Sequence, residues 1–211
     1  MRSDAARNRQ ALIDAALKLF NEHALTPTLD DVAREAGVGV ATAYRQFANK
    51  TELAFVALEA SVESMLQAAE RAAEVEDGWA GLTEFFEVTI RPQAAQQALR
   101  AVLATDPESP PMAEVHRRVE DCLDTLLEKA RRQGTVRQDV VVSDLAVVAT
   151  LLGESVRLFG SVVPDSWQRF MPLLLDGLRP GATTPMAADP LTKKQFIAGI
   201  AHQARGAAGP R

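Results

Sequence analysis

At 211 residues the chain is long enough for one large domain or two small ones. Its 47% apolar and 24% charged side chains are ordinary for a soluble globular protein. No apolar run approaches the about 18 to 20 residues that span a bilayer, and the N-terminal MRSDAARNRQ lacks the apolar stretch of a secretory signal. The single cysteine, Cys122, excludes an internal disulfide framework and a multi-cysteine metal site. These features together fit a reducing cytoplasm.

The net charge of −5 argues at first against nucleic acid, but its distribution weakens that objection. Residues 1–55 carry seven Lys/Arg and seven Asp/Glu, whereas residues 56–211 carry sixteen and twenty-one. The acid excess therefore lies wholly in the later part. Non-specific DNA affinity should be modest and salt-sensitive, because phosphate neutralisation supplies most of it.

Residues 1–8 read as a flexible arm carrying Arg2 and Arg7. A helix from about Arg9 to His23 follows, with Leu12, Ile13, Ala16, Leu19 and Phe20 on one stripe. Thr26-Pro27-Thr28 breaks it. Thr28 suits an N-cap, with Asp31 placed to reach back as in a capping box. Leu29, Val32, Ala33 and Ala36 then repeat at helical spacing in a short helix, Leu29 to Ala36. Gly37 stands where a left-handed C-terminal residue is wanted. After the turn Gly37-Val38-Gly39, a second short helix runs from about Val40 to Phe47, with Ala43 and Phe47 inward. Thr42, Arg45 and Gln46 point outward, and Tyr44 lies on one flank. Two brief helices joined by a glycine turn form a helix-turn-helix, whose second helix can enter the DNA major groove. A helix from Thr51 to about Glu74 braces this unit; at about 1.5 Å per residue it spans about 35 Å.

The remainder is helical in pattern, with helices expected near 77–91, 93–104, 111–133, 143–160 and 166–178. Breakers fall at residues 106–111, Gly134, Gly160 and Pro164, and the only hint of a strand is Val140-Val141-Val142. Residues 179–190 read as a disordered linker, with a short helix over 191–204 and a loose tail. From Leu145 to Phe159 apolar residues occupy almost the whole circumference, so the helix must be covered all round. The helix with Trp167, Phe170, Met171 and Leu174 is nearly as apolar. The simplest cover is a second copy of the chain about a two-fold axis. Val148, Leu152, Val156, Phe159, Trp167, Phe170, Met171 and Leu174 are the residues expected at that interface. A two-fold dimer sets two reading helices about 34 Å apart, one turn of DNA.

Residues 9–53 resemble the DNA-binding domain of the tetracycline-repressor (TetR-like) family of bacterial regulators. The landmarks are Ala15-Ala16, Leu19-Phe20, Thr28, Val32-Ala33, Ala36-Gly37-Val38, Thr42, Tyr44, Phe47, Lys50 and Leu53. The resemblance implies an all-α fold: an N-terminal three-helix helix-turn-helix DNA-binding domain and a C-terminal helical ligand-binding and dimerisation domain. The expected boundaries are 1–53, 54–178 and a tail, 179–211. By the resemblance Thr42, Tyr44 and Lys50 match phosphate-contacting positions, and Val40, Ala41 and Gln46 match positions facing bases or backbone. Thr28 and Arg45 complete the expected DNA-contacting set. The sequence departs from the family at Gly39, where serine is frequent, at apolar Val40 and Ala41, and at Gln46, where histidine is frequent. Glycine at an N-cap costs only a few tenths of a kcal/mol, and Val40 and Ala41 suit thymine methyl groups.

Arg45 suits either a guanine edge or a phosphate. Arg2, Arg7 and Arg9 suit a minor groove, as terminal arms can, although such arms are more often simply disordered. Cys122 reads as a packing residue. His23, His116 and His202 show no metal-ligand spacing. Glu154 and Arg157 can pair with each other, cross the dimer interface or orient a ligand. Trp79, Phe85, Phe86 and Met65 are candidates to line an effector cavity, or are plain core. No nucleophile motif, phosphate loop or zinc spacing points to an enzyme, and neither cofactor nor metal is expected. The expected function is a homodimeric regulator, a repressor released from a palindromic operator by a small molecule. The alternative is a DNA-binding regulator without small-molecule input, acting by abundance or through a protein partner.

Overall fold

A computed structural model describes residues 2–23, 25–103, 109–181 and 184–207, and among these the regular structure is entirely helical. Ten helices follow in order: α1 (Arg2–His23), α2 (Leu29–Glu35), α3 (Val40–Gln46), α4 (Lys50–Glu74), α5 (Gly78–Ala95), α6 (Gln97–Leu103), α7 (Pro110–Arg132), α8 (Val142–Phe159), α9 (Trp167–Asp176) and α10 (Lys193–Ala207). The chain divides into two compact units. The first holds Met1–Glu63 and Gln96–Thr105, and the second Ser64–Ala95 and Asp106–Arg211.

Local signals delimit the helices of the first unit. Thr28 caps α2: its hydroxyl accepts from the Asp31 amide at 3.2 Å, and Asp31 accepts from the Thr28 amide at 3.0 Å. At the far end Gly37 adopts φ +64, the left-handed region. The Gly37 amide donates to the Arg34 carbonyl at 3.2 Å and the Val38 amide to the Ala33 carbonyl at 2.9 Å. That pair of bonds is a Schellman termination. Asn49 opens α4, its side chain accepting from the Glu52 amide at 2.9 Å while Glu52 accepts from the Ala48 amide at 2.7 Å.

The core of this unit joins Leu12, Ala16 and Phe20 of α1 to Leu29 and Val32 of α2, with Ala43, Phe47 and Leu53 beyond them. Two expectations are corrected here. Residues 2–8 are the first turns of α1 rather than an arm, and Arg7 pairs with Asp4 across one turn. The helix α6, expected in the regulatory part, belongs to the first unit, because its buried Ala98 and Val102 complete that unit's core.

In the second unit the C-terminal part of α4, α5, α7, α8 and α9 share one core around Phe85, Phe86, Leu126, Leu152 and Trp167. Gly78 lies against the α7 backbone, where a Cβ would come within 2.4 Å of the Ala130 nitrogen. Lys129 closes the end of α4 by donating to the carbonyls of Ala73 at 2.6 Å and Val75 at 2.9 Å. Pro92 does not end α5, which runs on to Ala95; a proline costs one donor and a local clash, and the surrounding packing retains the helix. Val142 opens α8 instead of forming a strand, and Asp144 accepts from the Val141 amide at 2.9 Å. Among the described residues no helix is long and apolar enough to cross a membrane.

Candidate nucleic-acid interface

The short helix α3 is held from below. Ala43 is fully buried and Phe47, which ends the helix, is 1% exposed, so both anchor it in the first unit's core. The opposite side is bare: Val40 is 43% exposed and Tyr44 54% exposed, with Ala41 and Arg45 also outward. Thr42 and Gln46, expected outward, are half-buried on the flanks, and Tyr44, expected on a flank, faces out, because the core that Ala43 and Phe47 enter also covers the helix sides bearing Thr42 and Gln46. Gly39 gives no side-chain cap, and its carbonyl takes the Thr42 and Ala43 amides at 2.8 and 3.1 Å. Seated from below, α3 turns apolar and cationic side chains outward, a face that can enter a groove.

Several expected DNA contacts already have partners inside the protein. The Thr28 hydroxyl belongs to the capping box. The Lys50 ammonium donates to the Leu25 carbonyl at 2.5 Å, tying the start of α4 to the connection before α2. Arg45 donates to the Thr42 hydroxyl at 2.7 Å. Asp30 holds the Tyr44 phenol above its ordinary pKa, chiefly through a hydrogen bond and then through charge, so the hydroxyl stays protonated as a donor.

Sequence reasoning missed two features. Arg9 lies over the Phe47 ring, 5.1 Å from its centroid, rather than in an arm. Lys18 pairs with Glu35 at 2.6 Å, linking α1 to α2, and the carboxylate raises the lysine pKa. Neither pair is local in sequence, so no periodicity announces it.

The residues named for an effector are scattered in role. Met65 is buried, and Phe85 and Phe86 meet edge to face within the core at 5.6 Å. Trp79 is half-buried under the Arg179 guanidinium, 3.7 Å from its centroid. Glu154 and Arg157 form an ion pair on the outer side of α8. A different depression, an open polar groove of about 440 Å³, lies along α4 and α7 between Glu70, Arg118 and Cys122. Burial pushes the Cys122 thiol up, which keeps it the neutral packing residue expected.

The residues of α8 and α9 expected at a dimer interface also divide. Val148, Leu152, Val156, Trp167 and Met171 are buried in the protomer's own core and are not available to a second copy. Phe170 and Leu174 are half-buried, and Phe159 is exposed. The apolar residues that do face out are Leu151, Leu158, Phe159 and Leu173. An all-round apolar helix hides which of its faces meets its own core, and only the packed structure separates them.

Residues 12–57 match the family model described as bacterial regulatory proteins, tetR family. Residues 77–180 match that of the transcriptional regulator SbtR-like C-terminal domain. The chain belongs to the TetR family. Its helix-turn-helix, α2 and α3, is thus that of a TetR-family transcriptional regulator. The HTH-type transcriptional regulator SAB2452 of Staphylococcus aureus is 34% identical over 67 residues, 31% of this chain and 36% of the relative. The match thus spans about a third of that curated relative. The TetR transcriptional regulator SCO0520 from Streptomyces coelicolor is 27% identical, with TM-score 0.51 over 82% of this chain and 99% of that one. PfmR from Thermus thermophilus shares the fold at 24% identity and TM-score 0.62, over 81% and 96% of the two chains. FadR from Bacillus subtilis, solved in complex with stearoyl-CoA, does so at 14% identity and TM-score 0.62, over 83% and 99%.

Proposed function

We propose that this TetR-family regulator is a homodimeric repressor, working in the cytoplasm, that a small-molecule effector releases from a palindromic operator. The observation that carries the reading is α3 itself, anchored by Ala43 and Phe47 with Val40, Ala41, Tyr44 and Arg45 exposed. Val40 and Ala41 meet thymine methyls, Arg45 reaches a guanine edge or a phosphate, and Tyr44 donates to phosphate when its one hydroxyl proton exchanges Asp30 for the phosphate. Thr42 and Gln46 flank these contacts. Lys50 joins them when its ammonium exchanges the Leu25 carbonyl for phosphate.

The effector enters the second unit; a protein of the same fold, FadR from Bacillus subtilis, was solved in complex with stearoyl-CoA. Linkage then requires reciprocity: operator weakens effector binding by the factor that effector weakens operator binding. The burial of Phe85 and Phe86 in the core favours a second reading, in which the regulator takes no small-molecule input.

Selection of bound duplexes from a random pool tests the function. The expected result is a two-fold symmetric motif with half-sites about one helical turn apart. A Val40→Ala protein should enrich a shifted motif. Failure to enrich any duplex would overturn the reading. A motif whose affinity no acyl-CoA or other small molecule alters would favour the second one.

A further inference from the structure

Along α8, Val147, Leu151, Glu154 and Leu158 follow one another at spacings of four, three and four, the spacing by which two helices pack along a seam. The seam lies opposite the buried face of Leu145, Leu152 and Val156. Leu151 and Leu158 are 49% and 53% exposed, and Leu173 of α9, 68% exposed, extends the apolar surface. A carboxylate therefore interrupts an otherwise apolar stripe. Arg157 sits one turn on, its Nε donating to both Glu154 oxygens at 2.8 and 2.9 Å.

We propose that the Glu154–Arg157 pair sets the register and partner identity of an interface between two copies of this chain. The proposal rests on the homodimer reading above. Around a two-fold axis the same patch meets itself. A patch bearing one acid and one base is complementary to its own image, so Glu154 of one copy faces Arg157 of the second and the reverse. An apolar seam alone tolerates slippage by a turn. With a charge pair in the seam, slippage buries each carboxylate against leucine, which is strongly unfavourable. The same device rejects chains whose seam carries a different charge pattern, since mismatched charges oppose association.

The test is charge exchange, read by sedimentation equilibrium on the full chain. Glu154→Arg and Arg157→Glu singly should each weaken self-association by at least about thirtyfold, the range for breaking an interfacial charge pair. The double exchange should restore it to within about tenfold of the original. When original and doubly exchanged chains are mixed, with one carrying a mass tag, mixed dimers should fall well below the statistical half. Far-UV circular dichroism identifies any variant that fails to fold, and the isosteric Glu154→Gln, expected to fall between, then replaces it. Single exchanges that dimerise like the original, or free mixing, would overturn the proposal while leaving the homodimer. An unsubstituted chain that stays monomeric would overturn the homodimer reading and this proposal with it.

Discussion

Replacing Phe47 by alanine should release α3 from its seat. The ring is 1% exposed and packs in the core that includes Leu12, Phe20, Val32 and Leu53. Truncating a buried phenylalanine costs about 3–5 kcal/mol. Losing the Arg9 contact over the ring adds about 0.5–1 kcal/mol. A unit of roughly seventy residues holds only about 4–10 kcal/mol of stability in all, so the change removes a third of it or more. Hydrogen exchange read by mass spectrometry on peptides from α1 to α3 is the direct assay. At about 1.4 kcal/mol per tenfold, exchange there should accelerate by about two and a half to just over four orders of magnitude. Both tryptophans, Trp79 and Trp167, lie in the second unit, so their fluorescence follows that unit separately. Arg9→Met removes only the cation and should accelerate the same peptides about two- to fivefold. Less than a tenfold effect of Phe47→Ala would refute the claim that this ring holds the recognition helix.

Gly37→Ala should cost about 1–2 kcal/mol, because nothing lies within 4 Å of the added Cβ and the penalty is the left-handed backbone alone. A melt should show the first unit's midpoint falling by several degrees; an unchanged midpoint would mean the turn is not left-handed in solution. The Thr28 hydroxyl, then the Thr28 amide, then Arg34 hold the Asp31 carboxyl below its ordinary pKa. A depressed folded-state pKa contributes stability present above about pH 3.9, the unfolded value, and lost as pH falls through the folded value. Denaturation at pH 7 and pH 3 should therefore show the original chain losing more than Asp31→Asn; equal losses would remove Asp31 from acid sensitivity.

The recognition unit was legible in the sequence because its signals are local. The Thr28–Asp31 box, the Gly37 termination and the Ala43–Phe47 spacing each act within a turn or two, and the structure shows all three. The fold class followed from the same short-range periodicity. The role of the first eight residues did not, because the helix they begin is anchored by Arg9 on a ring 38 residues away.

Composition and periodicity by themselves determined an all-helical chain, the position of its helix-turn-helix and the inward placing of Ala43 and Phe47, since each depends on neighbours along the backbone. Tertiary packing alone decided that α6 completes the first unit, that Lys50 ties to Leu25, and that Val148, Leu152 and Val156 turn inward while Leu151 and Leu158 remain exposed. The reason is geometric. A helix apolar around its circumference carries no phase, and the neighbours that choose its inner face are brought together only by the fold.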